Sequence, residues 1–230
     1  GEAVGLHLHQ PTTGRRPADV EGELDGRPVH FTRVEGGWFG VAAAPIGSAG
    51  PARLTLRYRL SPDSTVVQTT RLSIAEHEYP ATRLSVAPRY SDPSPEALVR
   101  IREERKLITA TLARATGAWL PREGFTWPRE RVITSPFGQR RVFNDELKSR
   151  HTGLDLRGRE GDPVHAAARG RVALTGDFYY AGTAVYLDHG LGVYTGYFHL
   201  SRITVEEGET VRQGQRVGEV GATGRVTGPH

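Results

Sequence analysis

Val172-Ala173-Leu174-Thr175, Ala184-Val185-Tyr186-Leu187 and Val193-Tyr194 are short Val- and Tyr-rich runs with glycines every few residues between them. Each run has strand length and the glycines punctuate it as tight turns, so the stretch reads as a compact antiparallel sheet. Working outward, the same character extends over residues 119–230. Strands do not alternate with helical segments, which argues against a nucleotide-binding α/β fold. The chain also has no P-loop, no Gly-x-Gly-x-x-Gly and no Gly-x-Ser-x-Gly.

Upstream the pattern changes. Ser94 is placed to cap a helix with Pro95 at its first position. Leu98, Ile101, Ile108, Leu112 and Ala115 recur at helical spacing, and Gly117 is a stop signal. The charges from Arg100 to Lys106 read as the solvated face. Before that, residues 1 to about 90 hold period-two runs: Val4-Gly5-Leu6-His7-Leu8-His9, Arg53-Leu54-Thr55-Leu56-Arg57-Tyr58-Arg59-Leu60 and Arg83-Leu84-Ser85-Val86. Short alternating runs broken by Gly, Pro and Ser61-Pro62-Asp63 indicate a small antiparallel sandwich. The expected fold class is mainly β. An N-terminal β-sandwich-like domain occupies 1–92, a connector helix 93–118, and a C-terminal antiparallel β-sheet domain 119–230.

The bulk numbers narrow the function classes. The chain has 230 residues, 24% of them charged, with a net charge of +4. Its sequence pI of about 9.6 suits an anionic partner such as cell wall, nucleic acid or a membrane surface. The acidic residues are scattered and no long basic run exists, so no nucleic-acid partner is expected. Only Lys106 and Lys148 are lysines, which we read as genome bias. No stretch approaches the ~18 apolar residues of a membrane span. With no cysteine, there is no disulfide, and any metal must be held by His, Asp or Glu. Methionine is absent even at position 1, so residue 1 is expected to be a processed or engineered end.

The nine histidines are His7, His9, His30, His77, His151, His165, His189, His199 and His230. Zinc without cysteine typically needs two or three imidazoles, often with a carboxylate. In His151-Thr152-Gly153-Leu154-Asp155 the outer residues share a strand face, but a straight strand separates their Cα atoms by about 13 Å. A bend at Gly153 would bring them onto one metal. His199, in Tyr197-Phe198-His199-Leu200, is either a half-buried structural histidine or an acid/base group. His7-Leu8-His9 reads as two exposed side chains on one strand face, with a metal-binding role as the sharper alternative. Val205 to Gly218 resembles a lipoyl or biotinyl carrier hairpin, but it lacks the lysine such a domain needs.

Taken in order, the motifs are more specific than any one of them. Ile133-Thr134-Ser135-Pro136-Phe137-Gly138-Gln139-Arg140-Arg141 precedes His151-Thr152-Gly153-Leu154-Asp155. Pro163-Val164-His165-Ala166-Ala167, Asp188-His189-Gly190, Tyr197-Phe198-His199-Leu200 and Thr223-Gly224-Arg225-Val226-Thr227-Gly228-Pro229-His230 follow. Over about residues 130–230 this set closely resembles the lysostaphin/LytM-type zinc metallopeptidases, which cut peptide bonds of bacterial peptidoglycan. The upstream sandwich and helix resemble, more weakly, the N-terminal region of some exported members.

The resemblance implies a zinc metalloendopeptidase, in which a zinc-activated water attacks a peptidoglycan peptide bond. By residue, it implies that His151 and Asp155 are zinc ligands and that His199 and His230 are catalytic non-ligands. One of these two would stabilise the oxyanion and the other would handle the proton; their order is left open. His165 and His189 receive structural or surface roles. Arg140, Arg141 and Arg150 could meet substrate carboxylates but are read as loop solvation. The family's third protein ligand would lie two positions beyond His230, so a tail carrying it is expected, and the 230-residue chain alone is expected to bind zinc weakly. The alternative is a non-catalytic relative that binds peptidoglycan or activates a separate hydrolase. The expected partners are peptidoglycan peptides, and the expected location is periplasmic or extracellular with any signal peptide already removed.

Overall fold

The computed structural model describes residues 3–9, 16–83, 93–130, 132–143 and 146–230. The described chain divides into two units, residues 1–78 with 117–119 and residues 79–116 with 120–230. The alternation at Leu84-Ser85-Val86 lies outside the described residues. No described helix is long and apolar enough to cross a membrane.

The first unit contains β1 (Ala3–His9), β2 (Asp19–Leu24), β3 (Arg27–Val34), β4 (Gly37–Ala43), β5 (Gly50–Ser61) and β6 (Ser64–Ile74). They hydrogen-bond in the order β1-β4-β3-β2-β5-β6. Strand β3 is shared between two halves: residues 27–30 pair with β2 and residues 31–34 with β4. One strand thus turns the corner of a curled antiparallel sheet. Period-two alternation sorts the faces. Ala52, Leu54 and Leu56 of β5 are buried while Arg53, Arg57 and Arg59 are exposed. Leu6 and Leu8 of β1 join the same core, with Leu24, Val29 and Ala42. His7 and His9 consequently face solvent on the other side of β1. The β2–β3 turn is Asp25-Gly26 with φ of 47° and 80° at the two residues, a conformation that favours an Asx-Gly pair.

In the second unit the helix α1 spans Pro95–Leu112. Ser94 caps it, its Oγ accepting from the Ala97 amide at 3.2 Å. The helix closes on Ala113, before the expected Gly117. The charges on it are not all solvated. Arg100 donates to both the Asp177 carbonyl and carboxylate at 3.0 Å, and Glu104 accepts from the Tyr179 amide at 2.8 Å. These bonds dock α1 on the main sheet, while Leu98 and Leu112 stay exposed.

That sheet contains β12 (Pro163–His165), β13 (Gly170–Phe178), β14 (Gly182–Asp188), β15 (Tyr194–Ile203), β16 (Thr210–Val211) and β17 (Arg216–Val220). Its order is β12-β17-β15-β14-β13-β16, all antiparallel. Strand β14 is central and covered on both faces. Val185 and Leu187 enter one core with Val172, Tyr197, Leu200 and Val217. Ala184 and Tyr186 enter another with Leu174, Phe178 and Ile108 of α1. Burial on both faces is why Ala184-Val185-Tyr186-Leu187 is a continuous apolar run rather than an alternating one. Smaller sheets flank it: β8 (Ile133–Ser135) with β11 (Asp155–Leu156), and β7 (Ala81–Arg83) beside β9 (Arg140–Phe143) and β10 (Glu146–Arg150).

Candidate active site

His151 and Asp155 are brought together by a bend. The chain turns at Gly153, and Asp155 then pairs with Ser135 at the start of β11. His151 Nε2 lies 2.9 Å from Asp155 Oδ1, a contact that the ~13 Å Cα separation of a straight strand would not favour. Gly153 is not among the positive-φ residues, and a Cβ there would meet only His151 Nε2 at 3.6 Å, so the bend as formed does not depend on glycine. His230 converges on the same carboxylate, its Nε2 3.7 Å from Asp155 Oδ1. His199 completes the cluster, its ring centroid 5.0 Å from that of His230. The four residues singled out in the sequence therefore share one site.

A bulge aims His199. Tyr197 pairs with Val185 and Leu200 with Thr183, so three steps of β15 oppose two of β14. The extra residue falls at Phe198–His199, and His199 has a left-handed φ of 60°. A regular strand would put Tyr197 and His199 on one face and Leu200 on the other. With the bulge, Tyr197 and Leu200 both enter the core and His199 is only half-buried. The energetic cost of a left-handed non-glycine residue, about 1–3 kcal/mol, is characteristic of functional sites.

The three histidines share one hydrogen-bonding device. Nδ1 of each approaches a backbone carbonyl: Pro136 at 3.1 Å for His151, Thr223 at 2.8 Å for His199, and Gly228 at 3.0 Å for His230. A carbonyl only accepts, so Nδ1 carries the proton and Nε2 presents a lone pair. For His151 this sets a lone pair against the Asp155 carboxylate at 2.9 Å. Two acceptors so close need a cation between or beside them, a proton or a metal ion. Imidazole nitrogen and carboxylate oxygen are zinc donors, so the pair fits that metal. Among the described residues, no group of three or more His, Cys, Asp or Glu is placed to hold a metal.

Burial sets the charge state of His199. Burial pushes its pKa below the ordinary histidine value of 6.5, and the nearby His230 acts in the same direction. The Thr223 carbonyl opposes that shift without reversing it. His199 is thus neutral at neutral pH, with Nε2 available to take a proton.

Thr223 is a residue that the histidine pattern alone did not isolate. Its carbonyl holds His199, its Oγ1 donates to the Leu200 carbonyl at 2.9 Å, and it accepts from the Thr183 amide at 2.9 Å. Gly182, at φ 62°, lies against it; a Cβ there would overlap the Thr223 hydroxyl and backbone. The signal for this contact was the Thr223-Gly224 pair in the last motif.

The remaining sequence candidates separate cleanly. His189 is fully buried, bonded to the Arg169 carbonyl and to Thr195 Oγ1, each at 2.8 Å. Asp188 caps the adjoining turn, accepting from the Gly190 amide at 2.8 Å. His165 rests 3.3 Å from the Pro128 carbonyl. Arg150 stacks 5.6 Å over the Tyr79 ring.

The stretch that holds these residues is similar to known proteins. The sequence profile of Peptidase family M23 matches residues 149–230. The peptidoglycan DD-endopeptidase ShyA of Vibrio cholerae is 42% identical over 99 residues, 43% of this chain and 23% of that protein. The DD-carboxypeptidase/endopeptidase Mpg of Neisseria meningitidis is 44% identical over 98 residues, again 43% and 23%. The chain thus spans about a quarter of the length of these curated relatives. A crystal structure from Pseudomonas aeruginosa assigned to peptidase M23 superimposes with a TM-score of 0.74 at 30% identity, covering 99% of this chain and 85% of that one. With that match over nearly its whole length, the chain belongs to peptidase family M23, of the lysostaphin/LytM type, and carries the family's domain at residues 149–230.

Proposed function

We propose that this protein is a zinc-dependent endopeptidase that hydrolyses peptide bonds of bacterial peptidoglycan outside the cytoplasmic membrane. The observation that carries this reading is the convergence of His151, Asp155, His199 and His230, with all three Nε2 lone pairs directed by carbonyl bonds at Nδ1. The peptidoglycan endopeptidases ShyA and Mpg, similar over the same stretch, supply the substrate class.

His151 and Asp155 would hold the metal. Zinc in such a site supplies Lewis-acid activation of water and of the scissile carbonyl. The chain's own groups do the rest. The Pro136 carbonyl fixes the His151 tautomer and ring plane, as second-shell acceptors do in metal sites. His199, kept neutral by burial, takes a proton at Nε2 and can return it to the leaving amine. His230, beside both Asp155 and His199, donates to the developing oxyanion when protonated.

The test is digestion of purified peptidoglycan sacculi by the natural full-length protein, followed by mass spectrometry of released muropeptides. Cross-link cleavage that needs zinc and disappears in His151→Ala is the expected result. Intact cross-links with zinc demonstrably bound would overturn the reading.

A further inference from the structure

At the far end of the main sheet lies a cleft of about 600 Å³ whose lining includes Arg122, Arg169 and Arg212. Its position follows from the register. Arg169 precedes β13, where Arg171 pairs with Asp188 at the end of β14, and Thr210 of β16 pairs with Arg171 in turn. The catalytic cluster is at the opposite end: His199 donates its amide to the Ala181 carbonyl, just before β14 begins. The six steps from Gly182 to Asp188 put the two sites about 20 Å apart.

The cleft is built. Gln213 donates from Nε2 to the Gly124 carbonyl at 3.0 Å and to the Ala167 carbonyl at 3.1 Å, tying its wall to its floor. The Thr126 amide adds a bond to Ala167 at 2.7 Å. Among the described residues, no ion pair neutralises the guanidinium groups of Arg122, Arg169 or Arg212. Glu123 is the one acidic residue in the lining, so the cleft carries excess positive charge.

We infer that this cleft is an accessory binding site for the carboxylate groups of the cell-wall polymer, separate from the hydrolytic centre. Arginine forks match carboxylates in geometry and charge, and unpaired exposed guanidiniums incur little desolvation before engaging them. The inference rests on the peptidoglycan reading for the identity of the polymer. A second contact some 20 Å from the site would hold the enzyme on its insoluble substrate between cuts by raising effective concentration.

The experiment is co-sedimentation of the protein with purified sacculi, with His151→Ala as the background so that nothing is cut. Adding Arg122→Gln, Arg169→Gln and Arg212→Gln should weaken binding roughly tenfold. Amidating the sacculus carboxylates should weaken the parent by a similar factor and leave the triple variant unaffected. In the otherwise wild-type protein, the triple variant should cleave a short soluble cross-linked peptide at the parental rate. Equal binding of parent and triple variant, or equal binding of native and amidated sacculi, would overturn the inference. Failure to cleave the soluble peptide by either protein would instead count against the hydrolase reading, because the sedimentation arms do not depend on cleavage.

Discussion

His199 concentrates the residue-scale logic. Its left-handed φ, its bulge and its Thr223 bond all serve to present Nε2 to the site. His199→Ala should therefore lower kcat by about 10²–10⁴-fold, the usual range for losing a general acid–base group, while zinc content stays unchanged. Because burial lowers its pKa, the base form persists below the ordinary histidine value of 6.5, and the acidic limb of kcat/KM should lie under that pH. His189 makes a matching statement about stability. Its folded pKa is lowered, chiefly by burial and against the opposing Arg169 carbonyl and Asp188. The unfolded chain then binds more protons, so this contribution is complete above pH 6.5 and is lost as pH falls toward the folded value. Thermal melts between pH 8 and 5 should show a Tm decline that is shallower in His189→Gln. The types and order of the site histidines were legible in the sequence. Their tautomers were not, because each is set by a carbonyl distant in sequence or by a local turn: Pro136, Thr223 and Gly228.

Elements hold those residues in place, and two tight approaches matter most. Gly182 sits in a left-handed conformation against Thr223, and Gly224 packs back on Gly182. Gly182→Ala adds both conformational strain and overlap, so it should cost at least about 1–2 kcal/mol. It should also reduce kcat more than it raises KM, because it displaces the support of His199 rather than a substrate contact. Helix α1 illustrates what pattern alone can and cannot reveal. Ser94 and Pro95 marked its start correctly, and Ser94→Ala should destabilise the second unit by about 1 kcal/mol in urea titration. Its end was not legible: Ala113 closes it without a glycine, and its docking depends on Asp177 and Tyr179, some 75 residues further along the chain. The bulge in β15 left one trace. Tyr197 and Leu200, three apart, are both apolar core residues, which a regular strand does not allow.

Over the whole molecule, mainly-β character was readable because strand-period alternation and glycine turns recur throughout. The buried arginine-free core of β14 was readable as a continuous apolar run, and Leu187→Ala, at a fully buried position, should cost about 2–5 kcal/mol by chemical denaturation. The shared strand β3 was not readable, since pairing with two neighbours in succession leaves no local signature in Arg27–Val34. The site draws on segments from Ser135 to His230, so it exists only when the second unit's sheets have formed. The most direct test is to compare release of muropeptides from sacculi by zinc-loaded full-length protein and by its His199→Ala variant at matched zinc content. Cross-link cleavage by the first and at least a hundredfold slower cleavage by the second, with zinc retained in both, is the expected result. Undiminished cleavage by His199→Ala would contradict an acid–base role for His199.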